Sequence, residues 1–410
     1  MPMKILFVVG KFPKLSETFI LNQIACFCEN DDDVTILSEN PSYESKVHEG
    51  VSKYSLNKKT VYYNFPTNQF RKLIKTAVLM SENLSNSLNL LKSASKIKSF
   101  HPIFAAPALK RNKKTDFDII ICHFGPSGNL AVALRDLGVL KGKIITVFHG
   151  FDMNAYLKSK GKDIYNGLFR KGDAFLPISN FWRQKLIDLG CEESKITTRY
   201  MGVDVNMFNY NTTVPDQKNI KILSVARLIE KKGIDYAIES IEILAGELPE
   251  ISYKIIGDGP LKKALEEKVR HLKIVQNVQF LGSLSQDEII PEIEQADFFL
   301  LPSVIAADGD MEGIPVGLME AMAMGKIVIS TRHSGIPELI QHGVTGFLAP
   351  ERDSSSLARL IKEVLDLSKE QLELIKINAR KHVELHFNQE LQNEVLLNDV
   401  CLLSSQFKIK

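Results

Sequence analysis

Ten short apolar runs rich in β-formers recur along this chain, at residues 5–9, 34–37, 119–122, 144–147 and 174–176, then at 222–225, 253–256, 278–281, 298–301 and 327–330. Helical patterns fill the intervals. That alternation admits few solutions besides parallel sheets covered by helices, so the expected class is α/β. A length of 410 residues exceeds what one core usually supports, and two doubly wound, Rossmann-like domains follow. The expected boundaries are residues 1–208, a polar linker at 209–219 containing Asn211, Thr212, Thr213, Pro215 and Asp216, and a second domain at 220–385. A helical segment at 386–410 is expected to pack back on the first domain.

Composition excludes several classes. Apolar residues at 44% and charged residues at 24% describe an ordinary globular protein rather than a disordered one. The run 5–9 is too brief for a signal-peptide core, and the longest apolar stretch, 298–307, is about half a membrane span. These features predict a protein kept in the cytoplasm. Five cysteines, Cys26, Cys28, Cys122, Cys191 and Cys401, lack Cys-x-x-Cys spacing, which disfavours disulfides and zinc alike.

The net charge of +2 hides an asymmetry, since residues 1–210 carry 29 basic and 19 acidic side chains and the remainder carries 22 and 30. Most of the excess lies between Lys53 and Lys114, where 13 basic residues accompany one acid, Glu82. Within it Phe70, Leu73, Ile74, Ala77, Met80, Leu84, Leu88 and Leu91 recur at helical spacing. Such a stretch suits the anionic face of a membrane, and equally a solvated helix packed on its own domain. Nucleic acid is not expected, because no aromatic-basic binding motif accompanies the charge.

In doubly wound sheets ligands sit beyond the carboxyl ends of the strands, so the residues that follow each run carry the chemistry. After 298–301 comes Glu312-Gly313-Ile314-Pro315-Val316-Gly317-Leu318-Met319-Glu320. Gly313 and Gly317 let backbone approach a ligand, Pro315 suits the passage from loop to helix, and the positive end of that helix favours a diphosphate. Glu320 is placed to reach sugar hydroxyls of a bound nucleotide. After 222–225, Arg227 and Lys232 put a planar fork and a point charge in the loop, both suited to a leaving diphosphate. Gly257-Asp258-Gly259-Pro260 forms a glycine-rich turn after 253–256.

Arg227 and Lys232, the Gly257–Pro260 turn, Phe280-Leu281-Gly282 and the Glu312/Glu320 pair together resemble the retaining glycosyltransferases of family four, which have the two-domain GT-B fold with a central cleft. Phe12-Pro13, Ser16-Glu17-Thr18-Phe19, His123-Phe124-Gly125, His149-Gly150-Phe151-Asp152, Met201-Gly202-Val203-Asp204 and the run Gly309 to Pro315 resemble the branch that builds colanic acid and amylovoran-type exopolysaccharides. The resemblance implies a nucleotide-sugar donor, with a uridine diphosphate the commonest in that branch, and a glycan or lipid-linked glycan acceptor. It implies that Arg227 and Lys232 hold the diphosphate, Glu320 the ribose and Glu312 the donor sugar. Backbone of Gly257, Leu281 and Ile314 to Gly317 would contact the donor, and His149 would face its sugar. Acceptor contacts are expected from Ser16, Glu17, Thr18 and His123.

Two Asp-x-Asp pairs, Asp116/Asp118 and Asp308/Asp310, invite a metal reading. Arg227, Lys232 and a helix end already offer the needed positive charge, so no metal and no cofactor are expected. A nucleotide-sugar epimerase on the same fold and a non-catalytic sugar-nucleotide-binding module are the alternatives.

Overall fold

In the computed structural model, which describes residues 2–14, 17–42, 49–81, 87–210 and 219–408, each of the ten apolar runs forms a strand. The first sheet contains β1 (Lys4–Val8), β2 (Asp33–Ser38), β3 (Thr60–Tyr62), β4 (Asp116–His123), β5 (Lys141–Phe148) and β6 (Ala174–Pro177). The second contains β7 (Lys221–Val225), β8 (Ser252–Ile256), β9 (Val278–Gly282), β10 (Phe298–Leu301), β11 (Ile327–Thr331) and β12 (Phe347–Ala349). The strands β3 and β12 were not expected. Each is a three-residue edge strand, too short to show a period or a run, and its pairing comes from the neighbour it lies against.

Every pairing between these strands is parallel, in the orders β3–β2–β1–β4–β5–β6 and β12–β11–β10–β7–β8–β9. Central strands such as β10 and β11 are buried throughout, as helices on both faces require. Strand order reverses between β1 and β4 in the first sheet and between β7 and β10 in the second. At such switch points the loops diverge to opposite faces and leave a crevice.

The chain divides into two units, one of residues 1–178, 182–199 and 393–410, the other of residues 179–181 and 200–392. The division falls nearer Arg199 than the expected 208. The reason is packing: Val203, Val205 and Phe208 belong to the second core, and the Arg380 guanidinium donates to the carbonyls of Phe208 (2.6 Å) and Val205 (3.1 Å). The expected linker at 209–219 lies largely outside the described residues. The last helix, Gln389–Lys408, passes from the second unit into the first, where Asp399 accepts a two-pronged contact from Arg199 at 2.6 and 2.8 Å.

The basic amphipathic stretch forms two helices, Gln69–Ser81 and Ser87–Lys96. Phe70, Leu73, Ile74, Leu88 and Leu91 are exposed on them, so this face is not spent on packing within the unit. Glu82 and Leu84 lie outside the described residues. Among the described residues no helix is long and apolar enough to cross a membrane.

Candidate functional site

The second sheet's switch point is built by two loops, one after β7 and one after β10. Gly257 follows β8 with φ +138°, and a Cβ there would stand 1.9 Å from the Ala226 carbonyl oxygen, so only glycine lets this turn press against the loop after β7. That loop ends in a single tight turn, Glu230–Lys232, closed by Gly233 at φ +67°. A Cβ on Gly233 would meet the Pro302 carbonyl at 1.8 Å. The close approach, with Val304 N–H donating to the Lys231 carbonyl (2.9 Å), delivers two lysines to the loop after β10.

There they meet Glu312. Lys232 Nζ lies 3.0 Å from Glu312 Oε2, and Lys231 Nζ lies 3.5 Å from Oε1 and 3.1 Å from Asp310 Oδ2. Burial would raise the Glu312 pKa, but the two ammonium groups outweigh it and hold the carboxylate below its ordinary value. The backbone of Glu312 is fixed as well. Its N–H donates to His333 Nε2 (3.0 Å), His333 Nδ1 meets Glu351 Oε1 (2.7 Å), and the Ser334 hydroxyl donates to the Glu312 carbonyl (2.8 Å). Because Nε2 accepts, the imidazole proton sits on Nδ1 and is donated to Glu351. Lys231, His333, Ser334 and Glu351 were not singled out by sequence reasoning. Lys231 shows only as a neighbour of Lys232, and the other three lie beyond the motif, joined to it only by folding.

The helix begins at Val316 with Pro315 at the N-cap, where the passage from loop to helix was expected. Glu312 therefore lies in the loop, and Gly313 and Ile314 lead into a helix whose first amides have no acceptor within the helix itself. Gly317 sits 3.7 Å, by its would-be Cβ, from the Val225 carbonyl, close to the end of β7. Glu320, one turn in, has its pKa raised to about 7 by burial. Arg227 takes no part in the lysine–glutamate cluster; its side chain is exposed and makes no ion pair among the described residues. Leu281 lies at the end of the edge strand β9, where Gly282 accepts from the Gly257 amide (2.8 Å).

In the first unit two histidines end up side by side past the carboxyl ends of β4 and β5. His123 Nδ1 and His149 Nε2 are 3.0 Å apart, and the rings stack among Phe7, Phe19 and Phe124. Burial drives the His123 pKa down to about 3, and burial plus its neighbour drives His149 well below the ordinary value, so both are neutral at physiological pH. One nitrogen of each, His123 Nε2 and His149 Nδ1, is buried without a hydrogen-bond partner among the described residues. Orphaned buried nitrogens mark a place where a ligand hydroxyl can complete the network.

Buried Asp152 sets the frame around this pair. Its carboxylate accepts from the amides of Gly125 (2.9 Å), His149 (3.0 Å) and Gly150 (2.9 Å), and burial raises its pKa to about 6. Phe124 is held at φ +71°, a conformation a bulky residue adopts only when its surroundings impose it. Phe19 and Asp152 stood within quoted motifs, yet nothing in their types announced these roles.

The other predicted residues are placed as follows. Glu17 pairs with Lys14 (2.6 Å) and Thr18 opens the helix Thr18–Glu29, while Ser16 lies outside the described residues. Asp116 and Asp118 fall at the amino end of β4, away from the ligand edge, where Asp118 accepts from the Lys4 amide (2.8 Å). Asp308 accepts from the Asp310 amide (2.8 Å), and Asp310 faces Lys231.

The sequence matches the family models described as Glycosyltransferase Family 4, over residues 88–207, and Glycosyl transferases group 1, over residues 209–382. It is 40% identical over 402 residues to the amylovoran biosynthesis glycosyltransferase AmsK of Erwinia amylovora, covering 95% of this chain and 97% of AmsK. The chain belongs to the family-four glycosyltransferases. It is also 38% identical to WcaL of Escherichia coli K12, a protein assigned to colanic acid biosynthesis, over 96% and 98% of the two chains. The fold of this glycosyltransferase is GT-B. It matches Anabaena HepE, solved with UDP, at TM-score 0.73 and 17% identity over 97% and 100% of the chains. It matches the lipopolysaccharide outer core galactosyltransferase WaaB at TM-score 0.66 and 20% identity over 98% and 99%.

Proposed function

We propose that this glycosyltransferase moves a hexose from a UDP-sugar to a lipid-linked glycan during assembly of a bacterial surface polysaccharide, with retention of configuration and without a metal. One observation carries the reading: two lysines and a glutamate converge beside a helix N-terminus at the switch point of the second sheet. Cations and first-turn amides together stabilise a departing diphosphate electrostatically, the largest single device such a site can use. Glu312 faces the developing positive charge on the sugar ring, and Glu320 takes the ribose hydroxyls. Arg227, which makes no ion pair among the described residues, and Lys232 turn to the diphosphate. His149 offers its unpartnered nitrogen to a sugar hydroxyl. The acceptor, held by the Ser16–Thr18 loop and His123, attacks from the face the diphosphate leaves, which retains configuration.

The polysaccharide assignment draws on AmsK and WcaL, and the uridine nucleotide on HepE. The exposed apolar face at Phe70, Leu73 and Ile74, among basic residues, fits a cytoplasmic enzyme resting on an anionic membrane, with binding that weakens as salt rises.

Thermal shift with a panel of nucleoside diphosphates tests the donor, because a ligand at a hundred times its dissociation constant adds about 2.7 kcal/mol. Stabilisation by UDP is expected, and stabilisation by guanosine or adenosine diphosphate alone overturns the uridine reading. Transfer should survive a chelator. Loss of activity that magnesium or manganese restores would refute metal independence and promote Asp308 and Asp310.

A further inference from the structure

The first unit holds a second ligand-sized space, away from the histidine pair's strands. An open cavity of about 850 Å³ lies past the carboxyl ends of β1, β2 and β3. Its walls include Lys11, Arg71 and Lys75 together with Asn64 and Asn68, and among the described residues no carboxylate lines it. Among the described residues none of the three cations is ion-paired. The frame is built rather than loose. Asn40 Nδ2 donates to the Phe65 carbonyl (2.9 Å), the Phe65 amide to the Glu39 carbonyl (3.3 Å), and Tyr62 Oη to the Phe12 carbonyl (3.2 Å).

Three cations, none ion-paired among the described residues and outnumbering the nearby Glu39 carboxylate that feels Lys11, converge from two chain segments and favour a multiply charged anion. The helix that supplies Arg71 and Lys75 also presents Phe70, Leu73 and Ile74, which are 71%, 65% and 49% exposed. Ile74 lines the cavity itself. Cationic pocket and apolar stripe thus share one helix, and the ligand that satisfies both is an amphiphile with a phosphate head.

We propose that this cavity binds the diphosphate of the lipid-linked acceptor, with the lipid tail lying along Phe70, Leu73 and Ile74. The inference rests on the reading that the acceptor is lipid-linked. It assigns an anionic subsite to Lys11, Arg71 and Lys75, distinct from the donor loops of the second unit.

The test measures binding of the full chain to neutral phosphatidylcholine vesicles doped with polyprenyl diphosphate. Parallel vesicles carry polyprenyl monophosphate or phosphatidylglycerol at equal charge. The diphosphate vesicles should bind about tenfold tighter or better than either control, as one or more extra charge-assisted contacts would give. Inorganic diphosphate should displace them, and Lys11→Ala, Arg71→Ala and Lys75→Ala combined should abolish the preference. UDP thermal shift on the same variant should be unchanged, which shows that it folds and separates this subsite from the donor site. Equal binding to all charged vesicles, no binding to any, or a diphosphate preference that survives the triple variant overturns the proposal. Loss of the UDP shift in the unmodified chain would instead overturn the donor reading and leave the vesicle result standing.

Discussion

Lys232 Nζ sits 3.0 Å from Glu312 Oε2, so in the free enzyme the cation proposed for the diphosphate is neutralised by the carboxylate proposed for the sugar. A second lysine, Lys231, shares that carboxylate at 3.5 Å. Donor binding on this arrangement exchanges one partner for another: the lysines turn toward phosphate, and Glu312 is left to the sugar ring.

Glu312→Gln removes the internal competitor and the sugar-facing charge at once. Turnover should fall by an electrostatic loss of about 2–4 kcal/mol, while UDP affinity holds or tightens. The fold should lose about 1–3 kcal/mol, because Lys232 is left without its buried carboxylate and Lys231 keeps only that of Asp310. Calorimetric UDP binding and saturating-donor kinetics decide this; normal turnover with weakened donor binding would contradict the role.

Glu320 gives a pH dependence with a definite sign. Its carboxyl titrates near 7 when folded against 4.5 as the ordinary value, so folding takes up a proton between those limits. The stability it allows is complete below about pH 4.5 and falls as pH rises toward 7, then stays level. Glu320→Gln should therefore match the parent at pH 4.5 and exceed its melting temperature at pH 8. Yet it should bind UDP more weakly at pH 8, where the ionised parent accepts from the ribose. Equal melting temperatures across that range would remove the burial argument.

His333 acts through the backbone of Glu312. His333→Ala leaves the Glu312 amide without its acceptor and the Glu351 carboxylate without its donor, at a cost of about 2 kcal/mol and with lower turnover. Glu351→Gln should lie between, since Glu351 also accepts from the Ile305 amide (2.9 Å) and the amide side chain keeps one accepting oxygen for two donors. Chemical denaturation and donor kinetics on both variants check the order. An unchanged turnover in His333→Ala would reduce the residue to packing.

Asp152→Asn confronts three backbone donors with a single accepting oxygen and an amino group. A loss of about 2–3 kcal/mol is expected, with turnover reduced because His149 shifts on its backbone. His149 and His123, both neutral, should contribute no inflection to the rate between pH 5 and 8 in the parent. An inflection near 6.5 that disappears in His149→Ala would contradict their burial.

Two parallel sheets, their ten principal strands, the loops that bear Arg227, Lys232 and Glu312 and the helix that bears Glu320 were legible in the sequence. Continuous apolar runs have one stable use, and glycine and proline punctuate them where the backbone must turn. The edge strands β3 and β12 were not legible, since three residues carry no period. Nor was the passage at Arg199, which depends on Arg380 reaching back to Val205 and Phe208 over more than a hundred and seventy residues of chain. The sequence marks which residues can do chemistry because type and local spacing are written there. Tertiary structure alone decided that Lys231 and Lys232 both reach Glu312, that His333 and Glu351 fix the Glu312 amide, and that Asp152 ties the Gly125 amide to the loop of His149. Those are distances between strand ends, set by sheet order, and no local pattern records them.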